Sequence, residues 1–296
     1  IYLRCMNSQA TPHTLRAWWL AARPKTLSGA LVSVVTATTL AYTSDTPHAA
    51  APFLAVLCAA FAGLMQIASN FINDLIDFRR GRDGEDRLGP ERACAQGWIT
   101  PQAMQRGIAL TLILAAAVGL CSLVLFAHAS QYPFAQLALW LGLVGVSCGA
   151  GAFLYTTHLS RLALGDVMVL IFFGLIPVGG TYFLLTDHLT LPALLLGLSI
   201  GLVVDLLLMI NNFRDRDNDA RVQKRTLVVL LGESKTLGLY LLLGLTALLT
   251  LHWRTWKALK RIRHGRALNA LLGETSRNIL VFAFAFCLGL LLLNIW

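Results

Sequence analysis

Long apolar runs alternate with short polar connections along the whole chain. Eight runs stand out, at approximately 26–43, 52–76, 107–127, 135–156, 165–185, 190–212, 235–253 and 277–296. Each is about 20 residues long, which is what an α-helix needs to cross a hydrocarbon core of ~30 Å. Short segments of alternating polarity, the mark of a membrane barrel, do not occur. The pattern predicts an all-α, multispanning transmembrane bundle. No connection is long enough to hold a soluble domain. Residues 1–14 read as a disordered N-terminal extension, and 15–296 as one transmembrane domain.

Composition sharpens this picture. Only 13% of the residues are charged, against roughly 25% in soluble domains. The formal net charge is +9, which in a soluble protein would point to nucleic acid. Here the Lys and Arg residues gather in alternate connections, so membrane topology explains them better. The segment before the first run holds Arg4, Arg16, Arg23 and Lys25. The connection after the second holds Arg79, Arg80, Arg82, Arg87, Arg92 and Arg106, and that after the sixth holds Arg214, Arg216, Arg221, Lys224, Arg225 and Lys235. Residues 44–51, 128–134 and 186–189 contain no Lys or Arg. The positive-inside bias therefore predicts a cytoplasmic N-terminus and cytoplasmic long loops. One segment conflicts. Residues 254–277 are basic, yet a single crossing at 235–253 would put them on the wrong side. Either a helix is missing here or 235–253 is re-entrant. The six cysteines form no CxxC pair and read as small apolar packing residues.

Two polar clusters interrupt the apolar pattern. The first is Asn70-Phe-Ile-Asn73-Asp74-Leu-Ile-Asp77, followed by Asp83, Arg87, Gly89, Pro90 and Arg92. Asn70, Asp74 and Asp77 stand at i, i+4 and i+7, on one helical face. Like charges at that spacing repel, so the cluster calls for a cation. The second is Asn211-Asn212-Phe-Arg214-Asp215-Arg216-Asp217-Asn218-Asp219, followed by Lys224, Arg225 and Thr226. Asn212, Asp215 and Asp219 again share a face. Both clusters close an apolar run at the same predicted membrane side, about half a chain apart, as in a pseudo-repeat. Mg²⁺ takes oxygen ligands from one or two carboxylates plus substrate phosphate oxygens. Two such clusters facing each other would clamp a diphosphate between two or more ions. Lys25, Arg87, Arg92, Lys224 and Arg225 would contact the phosphate, and the apolar helices would hold an isoprenoid tail.

At these residues the chain resembles the UbiA superfamily of intramembrane prenyltransferases, most closely its 1,4-dihydroxy-2-naphthoate branch in menaquinone synthesis. The stretches that carry the resemblance are Arg23-Pro24-Lys25-Thr26-Leu27, Asn70 to Asp83 with Arg87-Leu-Gly89-Pro90, Gly97-Trp-Ile-Thr100, and Asn211 to Gly232; Leu-Gly165-Asp166 with Phe172-Phe173-Gly174 is a softer one. The resemblance implies about eight to nine helices in a ring with the site on the cytoplasmic side. It implies transfer of a polyprenyl group from polyprenyl diphosphate to 1,4-dihydroxy-2-naphthoate, with loss of CO₂, to form demethylmenaquinone. It assigns Asn70, Asp74, Asp77 and Asp83 to one Mg²⁺ cluster and Asn212, Asp215 and Asp219 to the other, with Asp74, Asp77, Asp215 and Asp219 central to catalysis. Lys25, Arg87, Lys224 and Arg225 would bind phosphate or the aromatic carboxylate. Residues 236–277 are shorter than the family's seventh and eighth helices require.

Lesser candidates have competing readings. Tyr155 can face an allylic cation with its ring or sit in an interfacial belt. Asp205 reads as a protonated acid hydrogen-bonded inside the bundle ahead of a proton acceptor that extends the polar cavity, and Asp166 as a helix-start acid ahead of a ligand. Trp18, Trp19 and Trp296 read as interfacial anchors. Acceptors such as 4-hydroxybenzoate or homogentisate fit the same scaffold. A cation-coupled secondary transporter is the rival from another class, although transporters place such sites near the midplane.

Overall fold

A computed structural model describes residues 14–81, 84, 87–159, 162–245 and 249–293, and every regular element among them is a helix. The short α1 (Thr14–Ala22) meets α2 (Pro24–Ser44) at Arg23, whose backbone is left-handed (φ 51, ψ 68). Pro24 at the first helical position is pre-set for a helix start. Then follow α3 (Ala51–Arg79), α4 (Pro101–Ala127) and α5 (Phe134–Thr157). A composite span joins α6 (Gly165–Val169), a π-helical turn (Leu170–Leu175) and α7 (Ile176–Thr186). The chain continues through α8 (Leu191–Arg221), α9 (Leu227–Leu245), α10 (Leu249–Ile262) and α11 (Leu268–Leu293). Thr100 and Thr190 cap α4 and α8 by accepting from the N–H groups of Ala103 and Ala193.

The helices close into a ring. α2 packs against α3, α7, α8 and α11, so the first and last long helices meet. Ser276 of α11 donates to the Lys25 carbonyl at 2.9 Å, and its hydroxyl lies 2.7 Å from that of Ser28. Lipid tails are as apolar as leucine, so close backbone packing must hold such helices together. The composite span lies on α8 through three glycines. A Cβ on Gly174 would run into the Gly197 carbonyl, and one on Gly201 would come within 2.9 Å of the Leu170 Cα.

The connections free of Lys and Arg gather at one end of the ring. Asp187 accepts from Ser130 and from the Gln131 N–H. His188 lies 2.8 Å from Asp45, which also accepts from the Tyr182 hydroxyl. Burial alone would raise the Asp45 carboxyl. The Thr46 N–H, the Tyr182 hydroxyl and His188 outweigh it and hold it below its ordinary value.

The segment that raises the parity conflict forms a helical hairpin. Eight helices are long and apolar enough to cross a membrane, and α9 counts among them by length. However, Gly232 breaks α9 with φ 74 and ψ 174. Beyond that break about 13 residues remain, ~20 Å of helix, and α10 returns antiparallel. Trp256 donates its indole N–H to the Leu237 carbonyl at 2.9 Å, and Glu233 meets Arg263 at 3.2 Å. Arg216, at the end of α8, bonds both Glu233 and the Arg263 carbonyl. Both ends of the hairpin therefore lie on one side, and neither arm matches a core of ~30 Å. Arg254, Lys257, Lys260 and Arg261 are exposed on α10. At the bilayer centre each would cost about 2.5–3.5 kcal/mol, whereas on a returning arm they stay near the surface. A re-entrant course, one of the two alternatives the charge pattern leaves, would put this basic segment on the same side as the other basic connections.

Two boundaries differ from the hydropathy reading. α8 runs on through the whole second motif, and α11 starts at Leu268 rather than near residue 277. Arg214, Arg216 and Asp219 in the added part of α8, and Thr275 and Ser276 in that of α11, are polar yet buried, so hydropathy cannot see them. Trp18 packs edge-on to Phe71 at 5.2 Å and lies against Gly107, so it is a packing residue. Trp19, 64% exposed, keeps the position of an anchor. Trp296 lies outside the described residues.

Candidate site where the two acidic motifs meet

The first motif fills the last turns of α3, and the second the last turns of α8. Their residues divide into some that build the site and some that stay open within it. Asn70, 3% exposed, donates to the Ala22 carbonyl at 2.8 Å and to the Thr26 hydroxyl at 3.0 Å, and accepts from Gln66. Its amide therefore fixes the α1–α2 turn that carries Arg23. Asp74, 1% exposed, accepts from the Ala93 N–H at 2.9 Å and the Cys94 N–H at 3.0 Å. It pins the loop after α3. Asp77 is more open and pairs with Arg92 at 2.7 Å. Asn73 accepts from the Thr156 hydroxyl, joining α3 to α5. Asp83 lies outside the described residues.

Arg214 joins the two motifs. Its guanidinium grips Asp215 through Nε at 2.8 Å and Nη2 at 2.5 Å, and also donates to Asn211 and Asn269. Asn269 in turn donates to the Leu88 carbonyl at 2.8 Å. Nη2 packs so closely on Gly89 that a Cβ there would stand 2.9 Å away. The loop after the first motif, the second motif and the start of α11 thus form one network. Five donors in a planar fork suit Arg to this position, and Lys would not replace it. Asp219, further along α8, accepts from Lys224 at 3.1 Å. Asn212 is buried one turn before Arg216.

Tyr155 connects the motifs from the other side. Its hydroxyl lies within electrostatic reach of Asp77, Asp219, Asp166 and Asp205. The ring also packs against Gly165. This is the position that the cavity reading of Tyr155 requires. Asp166 and Asp205 face each other across the helices, each with a buried carboxylate oxygen that has no hydrogen-bond partner. Glycine packing of the composite span on α8 brings them together.

Several basic side chains surround this space. The Arg23 guanidinium is buried at Nη2 without a hydrogen-bond partner. Burial, then the nearby Arg92 and Arg87, push it well below its ordinary value, while Asp74 and Asp77 push back. Guanidinium keeps its proton, so this environment favours an incoming anion. Sequence reasoning chose Lys25 from the same motif and passed over Arg23. The left-handed turn before Pro24 aims the two differently, and Lys25 is exposed. Arg87 donates to the Pro90 carbonyl at 3.0 Å, within its own loop. Lys224 and Arg225, with Ala220, Gln223 and Val229, line an open pocket of about 360 Å³ beside the second motif. The Arg225 backbone is held by a bridge to Leu162.

The donor set suits a hard divalent cation only in part. Among the described residues no three His, Cys, Asp or Glu side chains converge as a ready metal cluster. Asn70 and Asp74 already have protein partners at both ends. Asp77, Asp215 and Asp219 offer carboxylate oxygens paired with Arg92, Arg214 and Lys224, and a cation would share or displace those pairings. Mg²⁺ needs only one or two carboxylates per ion, completing its shell with water and phosphate. These three residues fit that demand.

A protein-family model described as the UbiA prenyltransferase family matches residues 30–296. The 1,4-dihydroxy-2-naphthoate octaprenyltransferase of Haemophilus influenzae is 37% identical over 228 residues, 75% of this chain and 71% of the relative. That of Escherichia coli is 38% identical over 232 residues, 77% of this chain and 72% of the relative. That of Mycobacterium leprae is 30% identical over 290 residues, covering 90% and 94%. A solved structure described under the biosynthesis of digeranylgeranylglyceryl phosphate synthase in membranes superposes with a TM-score of 0.57 at 15% identity. The overlap covers 94% of this chain and 98% of that one, and speaks to the fold alone.

Proposed function

The chain belongs to the UbiA prenyltransferase family, and on that premise we propose that it joins a polyprenyl group to 1,4-dihydroxy-2-naphthoate with loss of CO₂. The observation that carries this reading is the Arg214–Asn269–Leu88 network, with Tyr155 opposite, which puts both acidic motifs around one space. Sequence likeness to the three naphthoate octaprenyltransferases supports the acceptor. The basic connections on the motif side favour a cytoplasmic site in a bacterial inner membrane.

In this reading Asp77 holds divalent cation on one side, and Asp215 and Asp219 on the other. Mg²⁺, when bound, supplies charge neutralisation for the diphosphate oxygens. Arg23, Lys25, Arg87, Lys224 and Arg225 take up the remaining anionic charge as the allylic C–O bond breaks and diphosphate leaves with the bonding pair. The Tyr155 ring faces the allylic carbon and favours the cation by its quadrupole. The electron-rich naphthoate carbon forms the new C–C bond. The bond to the carboxylate then breaks, CO₂ leaves, and its electron pair restores the aromatic ring. The product is demethylmenaquinone at the hydroquinone level. Asn70 and Asp74 position the loops that carry Arg23 and Arg92.

The test is an assay of membranes containing the protein, with labelled polyprenyl diphosphate and each of three acceptors. Prenylated, decarboxylated product is expected with 1,4-dihydroxy-2-naphthoate and not with 4-hydroxybenzoate or homogentisate. Excess EDTA should stop the reaction and Mg²⁺ restore it. Asp215→Asn should lower the rate by at least about 100-fold while the protein still inserts. Full activity of that variant, or turnover of another acceptor in preference, would remove the proposal.

A further inference from the structure

The exposed side of α10 is a surface the reaction does not use. The buried side of this helix is formed by His252, Thr255 and Leu259, which are at most 1% exposed. Polar contacts fix it to its neighbours: Asn278 of α11 donates to Thr255 at 3.1 Å and to the Leu251 carbonyl at 3.3 Å, and the Tyr240 hydroxyl of α9 lies 3.3 Å from His252. The other side is therefore held in a defined orientation.

On that side two indoles and four cations are arranged as a unit. Trp253 and Trp256 stack with centroids 4.9 Å apart. Lys257 Nζ stands over the Trp253 ring at 5.2 Å, and Lys260 Nζ over the Trp256 ring at 5.4 Å. Arg254 and Arg261 flank them and are exposed. No Asp or Glu occurs between Glu233 and Glu274. Glu233 is engaged by Arg216 and Arg263, so none of the four has an acid partner among the described residues. The hairpin returns this surface to the membrane boundary. Indoles seek the headgroup level, and Lys and Arg stems bury their methylenes while their charges reach outward.

We propose that this face of α10 binds anionic phospholipid headgroups of the surrounding bilayer, fixing the re-entrant hairpin at its depth. Charge complementarity selects the occupant. A zwitterionic headgroup leaves four clustered cations uncompensated, whereas a phosphodiester without a choline matches them. The apolar indole faces require a ligand with acyl chains beside its charge.

The experiment titrates the full-length protein, in detergent, with mixed micelles of phosphatidylglycerol or of phosphatidylcholine carrying the same acyl chains. The midpoint of thermal unfolding is followed. Phosphatidylglycerol should raise it by roughly 2–4 °C more than phosphatidylcholine, and the excess should shrink at high salt. The combined variant Lys257→Gln, Lys260→Gln, Arg261→Gln should lose most of that excess while keeping the phosphatidylcholine response. Lys257→Arg with Lys260→Arg should keep both. Equal responses to the two lipids, or an undiminished excess in the Gln variant, would overturn the proposal. So would an equal rise with inorganic phosphate or polyglutamate, since the surface would then take any anion or an acidic protein. Should the Gln variant fail to fold, brominated lipids decide the matter. Bromo-phosphatidylglycerol must quench the wild type more than bromo-phosphatidylcholine does, and Trp253→Phe must reduce that difference; an unchanged difference would overturn the proposal.

Discussion

Tyr155 shows how one side chain can be ambiguous in a sequence and definite in a fold. A tyrosine near the end of an apolar run is usually an interfacial residue. Here it is half-buried, within electrostatic reach of carboxylates from α3, α6 and α8. Should its ring serve a developing allylic cation, the aromatic face matters more than the hydroxyl. Tyr155→Phe is expected to stay within about threefold of the native kcat. Tyr155→Ala should lose about 30-fold, corresponding to ~2 kcal/mol for a desolvated cation–π contact. Single-turnover rates with saturating prenyl diphosphate measure the difference. Equal losses in the two variants would assign the role to the hydroxyl. Asp74 and Asn70 teach the complementary point. Both sit at the spacing of metal ligands, yet each is held by local partners that shape the loops around the space. Spacing places a residue on a face, but it does not say which groups will claim its oxygens.

Among elements, the contact between the composite span and α8 is the tightest, and glycine makes it possible. A Cβ at Gly174 meets backbone on both Gly197 and Gly201, which cannot rotate away. Gly174→Ala is expected to cost about 1–3 kcal/mol by overpacking and to reduce activity, because it parts Asp166 from Asp205. Gly180→Ala in the same span has open space beside it and should be close to neutral. Thermal unfolding in detergent together with turnover separates the two. At the far end of the ring, Asp45 links α2 to α7 through Tyr182 and to the following loop through His188. Its carboxyl is held below the ordinary value. The native state therefore binds that proton less readily than the unfolded chain does. The contribution to stability is present above the unfolded pKa of ~3.9 and is lost as pH falls through the lower folded value. Asp45→Asn should remove this component, seen as a flatter loss of unfolding midpoint between about pH 5 and pH 3.

For the molecule as a whole, the charge pattern predicts seven full crossings and one half-depth hairpin, because eight simple crossings would leave the basic residues 254–267 on the opposite side from the other basic connections. Cysteine labelling tests this arrangement directly. In a cysteine-free background, Gln223→Cys and Arg261→Cys should react with a membrane-impermeant maleimide from one side, and Ala129→Cys from the other. Opposite-side labelling at 223 and 261 would restore α9 as a true crossing and remove the hairpin. The ring itself depends on α11 meeting α2, and the site depends on α11 too, because Asn269 relays Arg214 to the Leu88 carbonyl. A helix with no acidic motif thus completes the space between two that have one.

Much of this was legible without coordinates. Apolar run length dictates helices, since an unpaired peptide group in lipid is too costly for any other spanning element but a closed barrel. The basic connections dictate which loops share a side, and the two Asp motifs announce an anion handled through cations. The tertiary structure decided what periodicity cannot carry. It folded the basic C-terminal segment back along α9, chose Arg23 rather than Lys25 for the buried position, and brought Asp166 to face Asp205 across helices. It also divided the motif acids between building loops and facing the space. Each of these depends on which groups from distant parts of the chain come within hydrogen-bonding reach. That is a property of packing in three dimensions, and the order of residues along one helix does not contain it.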